Sequence, residues 1–164
     1  MANFVSESEA RAVPCPQGTE TWNPVPHGQV IDSIEKAVKF EGLGIEAKSF
    51  ELTNEGANFF ASYRLDKQVN GFNWQVGFRN SMNKNFAVGV CAGSHICVCS
   101  NLVFSGDFVE FRRHTKGLDV DMLDVIALTA MKRVILQLGN FESWHTGLKE
   151  YSLTGNDFKV LTFD

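Results

Sequence analysis

The feature that most constrains this chain is a run of hydrophobic residues at period two, interrupted by short turns. "IEAKSFELT", residues 45–53, alternates apolar and polar positions, and "TNEG" then supplies turn residues. "NFFASYRLD" follows and places Phe59, Ala61, Tyr63 and Leu65 on one face. Asn70-Gly71 is the strongest hairpin signal in the chain, because a type I′ turn needs positive φ at both central residues. "NWQVGFRNS" then places Trp74, Val76 and Phe78 on one face, and a polar stretch from Met82 to Asn85 makes another turn. Strands joined this closely must run antiparallel, since a parallel pair needs a crossover of about a dozen residues. The pattern therefore argues against a doubly wound parallel sheet.

Helical spacing brackets this run. Val30, Ile31, Ile34, Ala37 and Val38 predict a helix over residues 29–41, with Gly42 as its stop. "FAVGVCA" and "HICVCSNLVF" predict two more strands, and "FVEFRRH" a last one. Leu123, Ile126, Ala127, Ala130, Val134 and Leu138 form the stripe of a helix over residues 119–138. Asp119 and Asp121 suit its N-terminal end, Lys132 and Arg133 the other end, and Gly139-Asn140 closes it. Phe141, Trp144, Leu148 and Tyr151 suggest a short further helix weakened by Gly147, and "LTGNDFKVLTF" a possible start of another. Residues 1–27 hold all four prolines and read as an extended N-terminal arm, leaving residues 28–164 as one domain. The expected fold class is α+β: an antiparallel β-meander sheet with helices packed on one face, in helix–strands–helix order.

The chain of 164 residues is 44% hydrophobic, enough for one core and too much for a disordered tail. No apolar run reaches the roughly 20 residues of a bilayer span, so no membrane is expected. The polar beginning shows no apolar stretch typical of a secretion signal, and four unevenly spaced cysteines suit a reducing cytoplasm. Net charge is −4, which argues against a general nucleic-acid coat. It is unevenly spread: residues 62–116 carry seven Lys/Arg against three Asp/Glu, between acidic flanks.

"CAGSHICVCS" raises the question of a metal, since Cys91, His95, Cys97 and Cys99 lie close together. On a strand His95, Cys97 and Cys99 share a face, but alternate positions stand about 7 Å apart, far for one ion with bonds of about 2.3 Å. No second cysteine pair follows. The segment reads as a buried core strand, cysteine packing there as a small hydrophobe, with no metal and no cofactor.

Two stretches carry hydrogen-bonding and cationic groups. "FRNSMNKNF" offers Arg79, Asn80, Ser81, Asn83 and Lys84 at a strand end, although Asn and Ser also simply build turns. "FRRHT" sets Arg112, Arg113, His114 and Thr115 just before the long helix, where a phosphate or carboxylate would suit them and a solvated charge run is the plain alternative. No G-x-S-x-G elbow, P-loop, G-x-G-x-x-G or H-E-x-x-H motif is present, so an enzyme using His114 has no motif behind it.

"GFRNSMNKNFAVGVCAGSHICVCSNLVFSGD", followed by "RRHT", resembles the phage/plasmid-like proteins grouped as domain of unknown function 932. The resemblance rests on Arg79, Asn80, Ser81, Cys99, Asn101, Gly106, Arg113, His114 and Thr115, with "PVPHGQVID" similar to the lead-in of that family's first helix. Asn83 stands at the family's Asp-like position, and the chain reaches Asp164 where relatives continue with more helix. The resemblance implies a phage or plasmid setting rather than a reaction. It also implies that Arg79, Asn80, Ser81, Asn101, Arg113 and His114 act as a joint site at one end of the sheet.

Two functions stay open. One is non-catalytic binding of nucleic acid, single strands above all, with Arg79, Lys84, Arg112 and Arg113 on phosphates and aromatics among Phe72, Trp74, Phe78, Phe104 and Phe111 stacking on bases or filling the core. The other is a protein-interaction module, such as an inhibitor of a host defence complex. A second copy of the chain is a further partner either reading allows.

Overall fold

The computed structural model describes residues 3–69, 72–93, 96–98, 104–106 and 108–150. Its centre is a six-stranded antiparallel sheet in the order β1-β2-β3-β4-β5-β8. The strands are β1 (Asn3–Val5), β2 (Ile45–Thr53), β3 (Asn58–Val69), β4 (Phe72–Ser81), β5 (Val88–Gly93) and β8 (Phe108–Arg112). Between the last two lie β6 (Cys97–Val98) and β7 (Phe104–Ser105), which among the described residues pair with each other as a separate two-stranded ribbon. The helices are α1 (Glu7–Ala12), α2 (His27–Phe40) and α3 (Val120–Glu150).

The expected α+β meander is what the chain forms. Alternation sends Phe59, Ala61, Tyr63, Leu65, Trp74, Val76, Phe78, Val88, Val90 and Ala92 into one core, against Val30, Ile31, Ile34, Ala37 and Val38 of α2. Leu123, Ile126, Ala127, Ala130 and Val134 of α3 complete it, so both long helices cover one face of the sheet. The first hairpin turn is of the type that follows strand twist: Asn54 and Glu55 have φ of 49° and 55°, and Gly56 N–H donates to Thr53 O at 3.1 Å. Asn70-Gly71 lies outside the described residues, flanked by the pair Val69 and Phe72.

Four expectations need correction. Residues 1–27 are not simply an extended arm: β1 pairs along Phe50–Leu52 of β2, and α1 follows, with Ala10 fully buried. A capping box explains α1, since Ser6 Oγ accepts from Glu9 N–H while Glu9 reaches back to Ser6 N–H. The described part of the expected strand over residues 95–104 does not join the six-stranded sheet; it contributes to the β6–β7 ribbon on the face without helices, where Ile96 and Val98 approach Gly77. The long helix does not end at Gly139-Asn140 but continues unbroken to Glu150. A glycine inside a helix costs about 1 kcal/mol relative to alanine, which weakens a helix without ending it. Lys132 and Arg133 therefore stand in mid-helix. The helix suggested from "LTGNDFKVLTF" lies outside the described residues. None of the described helices is long and apolar enough to cross a membrane.

Candidate functional site: a basic cleft over a buried amide

Asn80 lies near the end of β4 on the helix-covered face and has no exposed surface. A buried amide must find partners for two N–H groups and an oxygen. Asn80 Nδ2 donates to Val25 O at 2.7 Å and to His27 Nδ1 at 2.9 Å, and Oδ1 accepts from His114 Nε2 at 2.8 Å. His27 Nε2 stands 2.8 Å from Gly56 O. A carbonyl only accepts, so His27 carries its proton on Nε2 and accepts with Nδ1. That orients the Asn80 amide, which in turn requires the proton of His114 on Nε2. Burial drives the pKa of His27 down to about 4, the Gly56 carbonyl opposes this, and proximity to His114 adds to it. Burial lowers His114 as well.

The turn after β4 is built by Ser81. Its Oγ donates to Asn83 Oδ1 at 2.6 Å and accepts from Asn85 N–H at 3.0 Å. Lys84 takes the left-handed conformation, φ 66°, and its Nζ lies 4.9 Å from the ring centre of Trp22. The segment carrying Trp22 is pinned to the connection before α3: Asn23 N–H donates to His114 O at 3.2 Å and Asn23 Nδ2 to Leu118 O at 2.6 Å.

These segments enclose a cleft of about 420 Å³ lined by Thr21, Trp22, Lys84, Phe86, Ala87, Arg113, His114 and Thr115. Two cations, an imidazole and two hydroxyls meet over two aromatic rings, and no carboxylate is among the lining residues. The indole Nε1 of Trp22 is buried and has no hydrogen-bond partner among the described residues. Such a lining is chemically suited to an anion that also presents a flat apolar group.

Lys84, Arg113 and His114 therefore meet at one end of the sheet, with Asn80 directly beneath His114 and Ser81 shaping the turn. Arg79 does not join them. It points away from Asn80, with its Cζ 4.8 Å from the ring centres of Phe86, which also lines the cleft, and of Phe104 and Phe111, and its Nε is buried with no hydrogen-bond partner among the described residues. Burial lowers its pKa. Arg112 is exposed at the end of the edge strand β8 and lines no part of the cleft. Asn101 lies outside the described residues. Trp74 and Phe78 fill the core and cannot stack on a ligand. Thr21, Trp22 and His27 are what the sequence reading missed; the lone tryptophan amid the prolines was the available signal.

Among the described residues no group of three His, Cys, Asp or Glu is placed to hold a metal ion. Cys91 is buried within β5, while His95, Cys99 and the side chain of Cys97 lie outside what the structure describes. No family model, curated protein or solved structure matches the chain.

Proposed function

We propose that the chain binds single-stranded nucleic acid without acting on it chemically, with the cleft as the contact point. The phage or plasmid setting belongs to the same proposal and rests on the resemblance of residues 77–115. One observation carries the reading: Lys84 and Arg113 line the same cleft as the rings of Trp22 and Phe86, with no carboxylate among the lining residues. Cations there take phosphates while a ring offers a base something to stack on, the combination that single-strand binding uses. Binding rather than catalysis is favoured because His114 commits its Nε2–H to Asn80, and no hydrogen bond joins it to Thr21 or Thr115 among the described residues. A net charge of −4 is compatible with a local contact and not with a chain-wide coat.

The test is fluorescence anisotropy of the nuclease-treated protein with labelled single- and double-stranded DNA and RNA across a salt series. Single strands should bind, with affinity falling as salt rises. Lys84→Gly combined with Arg113→Ala should weaken binding and flatten the salt slope by about 0.7 for each cation removed. Glycine is chosen at position 84 because it accepts the positive φ of the turn. Arg112→Ala, outside the cleft, should change little. Undiminished binding by the double variant removes the cleft from the interaction, and absence of binding at low salt redirects the search to a protein partner.

A further inference from the structure

We propose that anion binding in the cleft is coupled to protonation of His114 at Nδ1, so that the cleft holds a nucleic-acid phosphate more tightly as pH falls. The inference rests on the reading of the cleft given above and adds its regulation.

Two histidines flank Asn80, and only one of them can gain a proton without breaking the network. His27 uses Nδ1 as an acceptor from Asn80 Nδ2, and its Nε2–H is committed to Gly56 O. A second proton on Nδ1 would set N–H against N–H at 2.9 Å. His114 is different. Its Nε2–H is already the donor to Asn80 Oδ1, and its Nδ1 makes no hydrogen bond with the described residues. Protonation at Nδ1 leaves every bond of the network in place and adds a charge to a residue that lines the cleft.

The surroundings determine where the counter-charge must come from. The charged and titratable groups around His114 are His27 from α2, Lys84 from the turn after β4, and Arg113 from its own segment. The segment across the cleft contributes Thr21 and Trp22, which carry no charge. With no carboxylate in the lining, the imidazolium has no acidic partner there. Burial accordingly holds the free protein's His114 below the ordinary value of 6.5. A bound phosphodiester supplies the missing negative charge and raises that value. Between the two values binding takes up a proton, and affinity must rise as pH falls.

Oligo(dT) lacking a terminal phosphate is a suitable probe, because it has no group of its own that titrates near neutrality. Its affinity is measured at fixed salt from about pH 8 to about pH 5.5, the window of histidine. Calorimetry in two buffers of different ionisation enthalpy counts the protons taken up. The expected result is a several-fold gain in affinity on acidification, at most about tenfold per pH unit, with uptake approaching one proton. His114→Gln, whose amide N–H can replace the Nε2 donor to Asn80, should bind with an affinity that no longer depends on pH. Equal wild-type affinity across the range without proton uptake overturns the coupling and leaves the binding site standing. The same pH dependence in His114→Gln overturns it as well. Absence of oligo(dT) binding at every pH overturns both the coupling and the site. Should the glutamine variant not fold, the wild-type proton count decides by itself.

Discussion

Asn80 joins four parts of the chain through one amide: the segment before α2, α2 itself, β4, and the segment after β8. The histidine beneath it makes folding sensitive to acid. In the unfolded chain His27 protonates near 6.5, and in the folded chain only near 4. Between these values the unfolded state binds more protons, so the contribution of His27 to stability must decline as pH falls from about 6.5 to about 4 and stay constant outside that window. The slope is at most about 1.4 kcal/mol per pH unit, and the total is of order 3 kcal/mol. Urea unfolding midpoints at neutral pH and near pH 4 measure it. His27→Asn should be less stable at neutral pH and show a much shallower decline, the remainder coming from His114 and, towards about pH 4, from paired carboxylates such as Glu7 and Asp124; an undiminished decline would place the acid sensitivity elsewhere. At this scale the sequence grouped residues that the fold separates. Arg79, Asn80 and Ser81 are consecutive, yet strand alternation sends Arg79 to the aromatic cage and Asn80 to the buried network. His27 and Trp22 come from more than fifty residues away, and a distance of that kind cannot be read from spacing.

At the scale of elements, β3 and β4 were legible because a buried core face imposes alternation over Phe59–Leu65 and Trp74–Phe78, and β2 and β5 because short turns join them to these strands. The β6–β7 ribbon was not, because two-residue strands leave no periodic record. The glycines of α3 misled for an energetic reason. Glycine weighs locally by about 1 kcal/mol, whereas a 31-residue helix is held over its first half by a packed stripe. Gly147 tests this weighing. A Cβ built there meets nothing within 4 Å, and its φ is not in the positive range. Gly147→Ala should therefore stabilise the protein by up to about 1 kcal/mol, raising the unfolding temperature by a few degrees. A lower unfolding temperature in a thermal melt would mean that the last turns of α3 pack closely against something the alanine displaces.

For the whole molecule the two faces of the sheet do different work. Helices cover one and form the main core, while the other is covered in part by the small ribbon and by rings gathered round Arg79. The N-terminal residues cover part of the sheet's first edge, β1 pairing with Phe50–Leu52 of the nine-residue β2. β1 adds a short strand along β2, and α1 holds it through Arg11 to Glu7 and Asp32, at 2.8 and 2.7 Å, and through Lys48 to Glu7 at 2.9 Å. Lys48 also meets Glu35 at 2.6 Å, and Glu35 accepts from Tyr63 O–H at 3.0 Å, which links the outer charges to the core. These ion pairs are about one-third exposed in most partners and worth little singly; the ladder and the buried Ala10 matter more. A nine-residue strand with open N–H and C=O groups would pair with another chain, and a three-residue strand offers far less to pair with. Removing residues 1–12 should thus lower the unfolding free energy by about 2 kcal/mol, read as a lower urea midpoint, and make the protein associate with rising concentration in sedimentation velocity. Affinity for oligo(dT) should be kept in the monomeric fraction, because Thr21, Trp22 and Asn23 stay and remain pinned at His114 and Leu118. A truncated chain that stays monomeric with an unchanged midpoint would show that β2 protects its own edge. A truncated monomer that no longer binds would show that the cleft depends on the far side of the sheet, and that the N-terminal strand acts on the binding site through β2 and β3.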